Sequence, residues 1–453
     1  MSDIRDYRVD HLLLLVGSNP LPGAVAGKLL TATGGKITLI YSHDSCALAQ
    51  KLSSWFQRTT DYSDIELFEV KETDATSVYN CVSKVLKAYE KLEKSANRTG
   101  KTRVGLNYTT GTKVMSVQAY RALEDWTRSH HRDVIFSYLD AHTLQMCFDP
   151  APGRDVISFY VGQGVDISIR GLLELHNWEL KDQPIAEPVL LESAKALLAV
   201  HSSPTEAKVW TQWLRDELFL KARKRAALAS PFWVFQSGKE LQQPLRVEQP
   251  APNNEWKSKT ALQALAIPWP KNLPELCETM RTELKQDNTE NLTLKDVSGC
   301  KNAEDFCKWL NGIWLEYAVL DVLRNCPRLQ SDHCCMNLKV RDLGSSEAEE
   351  LFEFDVVAMR GYQLFAFACS TDSSKGLLKH KLFEAYVRAR QMGGDEACVA
   401  LVCCASKNMV DDLEKDMRST FGARGRIRVF GSEDLISLGA HIEDWVREQS
   451  KEH

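Results

Sequence analysis

What most constrains this chain is the alternation of short apolar runs with helical stretches between residues 11 and 148. HLLLLVG, beginning at His11, is a continuous apolar run ended by glycine, the pattern of a strand covered on both faces. KITLIYS (from Lys36), IELFEV (from Ile65), TRVGLNY (from Thr102) and DVIFSYLD (from Asp133) read as further strands. Between them the pattern predicts helices near Cys46 to Arg58, Asp74 to Ala96 and Thr112 to Arg128, with LQMCF (from Leu144) as a hairpin partner. Such alternation predicts an α/β fold with a doubly wound, mainly parallel sheet. Ligands on such sheets bind beyond the carboxyl ends of the strands, where loops pass into helices.

Two of those loops carry unusual chemistry. Gly17-Ser18-Asn19-Pro20-Leu21-Pro22-Gly23 ends the first strand and opens a helix, so its backbone amides and the helix start suit an anion. It is not a GxGxxG loop, because Asn19 stands two residues after Gly17, and only Asp44 is placed to hold a ribose; a nicotinamide or flavin site is therefore not indicated. The same Asn, Pro and Gly also suit a plain turn. The second loop is Asn107-Tyr108-Thr109-Thr110-Gly111-Thr112-Lys113-Val114-Met115. Hydroxyls and helix-start amides donate to phosphate or ribose oxygens, glycine lets a ligand approach the backbone, and lysine adds a point charge. Thr109 or Thr110 could equally cap the helix, with Lys113 solvated. The Walker A spacing is absent. Lys+Arg 56 against Asp+Glu 61 leaves a net charge of -5, so any polyanion site is local rather than a uniformly basic surface.

The GSNPLPG loop, the NYTTGTKVMS segment and the SYLD strand together resemble a CARF domain, the CRISPR-associated Rossmann fold. The resemblance is strongest to proteins that join this domain to a PD-(D/E)xK nuclease domain and act as accessory effectors in type III CRISPR defence. Asn107, Thr109, Gly111, Thr112, Lys113 and Met115 follow the family pattern N-x-T-G-G-T-K-x-M, and Thr110 replaces its first glycine. What the resemblance implies is a homodimer that binds a cyclic oligoadenylate, most often cyclic tetra-adenylate, across its two-fold axis. Gly17, Ser18, Asn19, Asn107, Thr109, Thr110, Gly111, Thr112 and Lys113 are then the expected ligand contacts. A symmetric ring of phosphates suits two copies of one loop pair.

The middle of the chain is less informative. Val156 through Ser203 reads as a few strands and then a helix, and Ser203-Pro204 as the cap and first position of another. Trp210, Trp213 and Leu214 fall at helical spacing and read as core. Lys221, Arg223, Lys224 and Arg225 read as a solvated helix face, with a polyanion-contacting surface as the alternative. Six prolines between Gln243 and Pro274 mark an irregular connector, where the resemblance places a small helical or winged-helix-like element. The expected organisation is a sensing domain over residues 1–180, a helical linker or insertion over 181–298 and a nuclease-like domain over 299–453.

The last part carries an apolar stripe of Trp309, Ile313, Tyr317, Leu320 and Leu323 on a helix from about Glu304 to Arg324. Its Gly312-Ile313-Trp314-Leu315-Glu316 segment resembles the G-x-WLE opening of PD-(D/E)xK domains. LFEFDVVAMRG (from Leu351) and YQLFAFACST (from Tyr362) predict an antiparallel hairpin turning at Arg360-Gly361, followed by a helix from Leu377 to Met392 and a strand, ACVALVCC. This order is that of the α/β restriction-endonuclease-like core. Its chemistry needs an aspartate on the first hairpin strand, and an acid and a lysine two residues apart on the second, around Mg²⁺ or Mn²⁺. Asp355, preceded by Glu353, fits the first position and Glu316 is a helper. Ala368 and Ser370 stand where the acid and lysine belong. Either the domain survives as a scaffold or the missing groups have moved, to Lys375, Lys379, Lys381 or Glu384. The output is accordingly read as activated cleavage of DNA or RNA, with a non-catalytic sensor and a ring nuclease using Lys113 as alternatives.

Thirteen cysteines show no CxxC pair and give no zinc pattern, which fits a reduced cytoplasm. The apolar run Leu12 to Val16 is too short to cross a membrane or to serve as a signal-peptide core, so a cytoplasmic protein without membrane partners is expected.

Overall fold

A computed structural model describes residues 3–71, 74–95, 103–130, 133–150, 155–225, 252–295, 297, 299–343, 351–422 and 425–449. Strand β1 (Val9–Val16) is buried along nearly its whole length because helices cover both of its faces. Leu12, Leu14 and Val16 pack with α1 (Leu21–Leu30) and α2 (Cys46–Thr59), while Leu13 and Leu15 pack with α3 (Ala75–Ser95) and α4 (Lys113–His130). Each fully covered leucine stabilises the fold by about 2 kcal/mol, which is why this run carries no polar alternation.

β2 (Thr31–Ser42), β3 (Asp64–Val70), β4 (Val104–Asn107), β5 (Val134–Asp140), β6 (Gln145–Phe148) and β7 (Ile157–Tyr160) complete a seven-stranded sheet in the order β3-β2-β1-β4-β5-β6-β7. The first five strands are parallel, and β6 and β7 add antiparallel at the edge. The chain departs from β1 to opposite sides, toward β2 and toward β4, so the loops after β1 and β4 face each other across a crevice.

The stretch after β7 departs from its reading as strands. Ser168 accepts from the Gly171 amide and starts α5 (Ile169–Leu175), so Ile167 and Ile169 flank a helix start rather than alternate along a strand. β8 (Trp178–Leu180) follows and pairs antiparallel with a strand of the C-terminal sheet. The residues just before position 180 therefore belong physically to the second sheet. α6 (Leu191–Ser202) and α7 (Pro204–Trp213) are joined at Ser203, whose side chain caps α7 with Pro204 in its first turn, as expected. A π turn over Leu214–Phe219 leads to α8 (Leu220–Ala222). Arg223–Arg225 is then a strand, β9, paired with β10 (Pro252–Trp256), and not the helix face expected. Lys221 pairs with Glu217 at 2.7 Å, Lys224 with Glu255 at 3.0 Å, and the Arg223 guanidinium lies 3.7 Å from the Phe219 ring centre. Much of the proline-rich connector lies outside the described residues. α9 (Lys259–Gln263), β11 (Ala266–Pro268), α10 (Pro274–Leu284) and β12 (Asn291–Thr293) close this middle layer.

The expected helix from Glu304 breaks in two, α11 (Ala303–Lys308) and α12 (Trp314–Arg324), because Gly312 adopts φ 157° in the turn between them. β13 (Cys334–Asp342), β14 (Phe352–Arg360), β15 (Gln363–Ser370), β16 (Cys398–Cys403) and β17 (Ile427–Phe430) form a sheet in the order β17-β16-β15-β14-β13-β8. α13 (Lys375–Gly393) and α14 (Lys407–Phe421) cover one face; α12 and α15 (Leu438–Glu448) cover the other. One hydrophobic cluster runs from α1 and α2 of the first sheet through α5 to the α13 and α14 face of the second. The two sheets thus share a core. No described helix is long and apolar enough to cross a membrane.

Candidate functional site

At the carboxyl ends of β1 and β4, the two expected loops meet. A Cβ on Gly17 would stand 2.8 Å from the Gly111 amide nitrogen, so only glycine permits this approach, and Gly111 itself takes φ 87°. Two cavities flank the contact. The smaller, about 270 Å³, is lined by Gly17, Ser18, Gly111 and Thr112 together with Ser42, Asp44 and Ser45 from the end of β2. The larger, about 560 Å³, takes Ser18, Asn19, Thr109 and Thr110 on one side. Tyr138, Asp140 and His142 line it from the end of β5, and Arg390, Gly394, Asp395 and Glu396 from the C-terminal end of α13.

The threonine hydroxyls do not stand free in this loop. Thr109 Oγ1 donates to Asn107 Oδ1 at 2.7 Å and accepts from the Leu139 amide at 2.8 Å. Thr110 Oγ1 donates to the Leu15 carbonyl. Thr112 Oγ1 accepts from the Met115 amide at 3.2 Å, so the cap of α4 is Thr112 and not Thr109 or Thr110. Asn107 is buried, and its Nδ2 donates to Ser137 Oγ at 3.1 Å. Side chains expected at the ligand therefore shape the loop, and Asn107 does not reach either cavity. Lys113, the first residue of α4, is exposed and lines neither cavity.

The wall supplied by α13 was not legible in the sequence, which predicts there only the end of a helix at Met392. A side chain at Gly394 (φ 70°) would collide with Asn19 and with Glu396, so the first loop rests directly on this turn. Arg390 pairs with Asp395. Glu396 is buried, one carboxyl oxygen has no hydrogen-bond partner, and burial lifts its pKa to about 7, opposed by Arg426 and aided by Asp140. The buried Arg426 donates to the Glu396 carbonyl at 2.8 Å and to the Ala141 and His142 carbonyls at 2.7 and 3.0 Å. One guanidinium thus ties the β5–β6 turn to the end of α13.

The second site lies at the open end of the β14–β15 hairpin. The ladder ends at the Val356–Phe367 pair, and beyond it the Cys369 amide donates to Asp355 Oδ2 at 2.7 Å. On the other side of β14, Asn337 takes a left-handed conformation (φ 56°). Glu353, Asp355, Ala368, Lys381 and Glu384 line a cavity of about 80 Å³. Of the four residues named under the second alternative, Lys381 lies beside Asp355: its Nζ lies 3.4 Å from Asp355 Oδ2 and 2.7 Å from the Cys369 carbonyl oxygen. Glu384 lines the same cavity, whereas Lys375 and Lys379 pair with Asp412 and Asp416 on α14. Burial, then the charge of Asp355, hold the Glu316 carboxyl well above its ordinary range. Burial works against the Lys381 charge, but Asp355 leads a group of neighbours that raise its pKa overall. Ala368 offers no ligand, and Ser370 Oγ accepts from the Asp372 amide at 3.3 Å. Among the described residues no group of three or more His, Cys, Asp or Glu is placed to hold a metal ion. With Lys381 in this position, the donor set does not fit Mg²⁺ or Mn²⁺.

No protein-family model and no curated protein matches this sequence. Solved structures do. Protein VC1899 from Vibrio cholerae superposes with a TM-score of 0.62 at 15% identity, over 98% of this chain and 99% of that one. Can2 from Sulfobacillus thermosulfidooxidans, solved in complex with cyclic tetra-adenylate, superposes with a TM-score of 0.60 at 13% identity, over 98% and 99%. The fold is shared end to end.

Proposed function

We propose that this chain is a type III CRISPR accessory effector that binds a cyclic oligoadenylate, of the size of cyclic tetra-adenylate, at the crevice between β1 and β4. Its CARF-like first domain would act as a homodimer, and binding would control a PD-(D/E)xK-like domain that acts on DNA or RNA. One observation carries this reading: the larger cavity has one wall in the sensing loops and the other in α13, the helix whose Lys381 holds Asp355. Lys381 and Arg390 stand nine residues apart, roughly 14 Å along a rigid helix. An occupant touching the Gly394 turn therefore bears on the second site through one element.

Ser18, Asn19 and the backbone amides of both loops are the groups that would face phosphate oxygens. Val114 and Val117 are exposed on the first turns of α4, beside the loop, and offer an apolar patch to a second copy of the chain. A dimer would also bring Lys113 toward the ring from outside the cavity walls.

Calorimetry with cyclic tetra-adenylate, and with linear tetra-adenylate as the control, tests the sensing step. Uptake of the ring alone, followed by ring-dependent cutting of plasmid or RNA, is the expected result; no uptake of any ring overturns the reading. A non-catalytic sensor is the second reading, favoured by Ala368, Ser370 and the engagement of Asp355. Ring uptake with no cutting under any metal condition would decide for it. Shortening of the ring itself would instead mark a ring nuclease.

A further inference from the structure

We propose that the Lys381 ammonium occupies the seat of a divalent cation in the second site, so that a metal ion and Lys381 exclude one another. The inference rests on the nuclease-like reading of this site and not on the messenger. A carboxylate oxygen and a backbone carbonyl oxygen converging on one point are hard donors of the kind that hold Mg²⁺ or Mn²⁺, with water filling the remaining positions. Here the Asp355 carboxylate and the Cys369 carbonyl converge on Lys381 Nζ, at 3.4 and 2.7 Å.

Three further facts agree. The Cys369 amide donates to Asp355 Oδ2, which fixes the carboxylate beside its carbonyl partner whether or not the seat is filled. Ala368 leaves the acid position of β15 without a ligand, which weakens any metal competing for the seat. Lys381 comes from α13 and not from β15, and its half-exposed side chain can swing toward solvent without disturbing the sheet or the buried face of the helix. The lysine is thus a tethered cation that neutralises Asp355 while the site is at rest. Two cations within a few ångströms would repel strongly in such a half-buried place, which makes occupancy exclusive.

Titration of the full-length protein with Mn²⁺, followed by electron paramagnetic resonance without any oligoadenylate, tests this. Lys381→Met keeps length and removes charge; it is expected to take up one ion per chain about tenfold more tightly than the wild type. Adding Asp355→Asn to that variant should abolish the gain. A Lys381→Met protein that binds Mn²⁺ no more tightly, or a gain that survives Asp355→Asn, overturns the proposal. In case the variant does not fold, amine labelling of the wild type read by mass spectrometry gives an independent measure. Saturating Mn²⁺ should raise labelling of Lys381 by displacing it, and unchanged labelling with bound ion overturns the proposal equally. Failure here leaves ring uptake untouched, and failure of ring uptake leaves this result standing.

Discussion

The two sheet ends keep their chemistry in opposite ways. At the first, the expected residues are present save for Thr110 in place of a glycine, but their side chains are committed inward: Thr109, Thr110, Thr112 and Asn107 all bond to their own loop or to neighbouring strands. At the second, the pattern is broken at Ala368 and Ser370, yet a cation returns to Asp355 from a different element. A motif thus fixes the shape of a backbone more reliably than it fixes which atoms meet a ligand. A lost motif residue, conversely, says little until the neighbouring helix is seen.

If loop shape is what matters at the first site, the largest effect should come from a residue without a side chain. Gly17→Val would drive a branched carbon into the Gly111 amide and separate the loops. Losing two hydrogen bonds to charged phosphate oxygens, at about 1.5 kcal/mol each, costs on the order of 100-fold, so calorimetry should show about that loss of ring affinity. Retention of near-normal affinity would mean that the two loops do not act as a unit.

The joint between the regions can be tested through Glu396. Its pKa is raised from 4.5 to about 7 in the folded chain, so the folded state binds the proton more tightly than the unfolded one. Stability from this group is therefore complete below the unfolded pKa, falls as pH rises from 4.5 to 7, and stays low above that. The difference amounts to about 3 kcal/mol. Glu396→Gln should melt higher than the wild type near pH 8 and show no advantage near pH 4.5. Equal melting at both would remove the buried acid from the account of this joint.

The succession of strands and helices along the first domain and most helix limits could be read from the sequence because buried strands and amphipathic helices write their periods directly into residue order. Asp355, Glu353 and Glu316 were named from a resemblance and not from periodicity; the structure places Glu353 and Asp355 on one cavity and Glu316 close enough to feel the charge of Asp355. The Arg390 to Glu396 wall was not, since it depends on how two sheets share a core across more than 200 residues of chain. Arg426 was equally hidden; standing between Arg424 and Arg428, it carries no signal that its partners are the carbonyls of Ala141, His142 and Glu396. The inward use of the threonines was invisible because capping and ligand binding demand the same residue types. Only the hydrogen-bond partners separate them.

Thr112→Val tests that separation with a smaller effect. It removes the cap of α4, which costs about 1 kcal/mol of stability in thermal unfolding. If the hydroxyl serves the helix and not the ring, affinity for cyclic tetra-adenylate should change by less than about threefold, within the weight of one exposed hydrogen bond. A loss far above that would return Thr112 to the ligand.

Lys113 gives the smallest expected effect and the sharpest reading of the dimer. In a single chain it is exposed and outside both cavities, so it acts on a ring of phosphates only at a distance, through solvent. Lys113→Ala should then weaken uptake by no more than about twofold at low salt, and the difference should vanish as ionic strength rises. A loss of two orders of magnitude that persists at high salt requires a different geometry, in which assembly places the lysine in direct, desolvated contact with phosphate. Such a lysine would come from the face of α4 that bears Val114 and Val117. Replacing those valines with aspartate should then reproduce the lysine defect while leaving the fold of each chain intact.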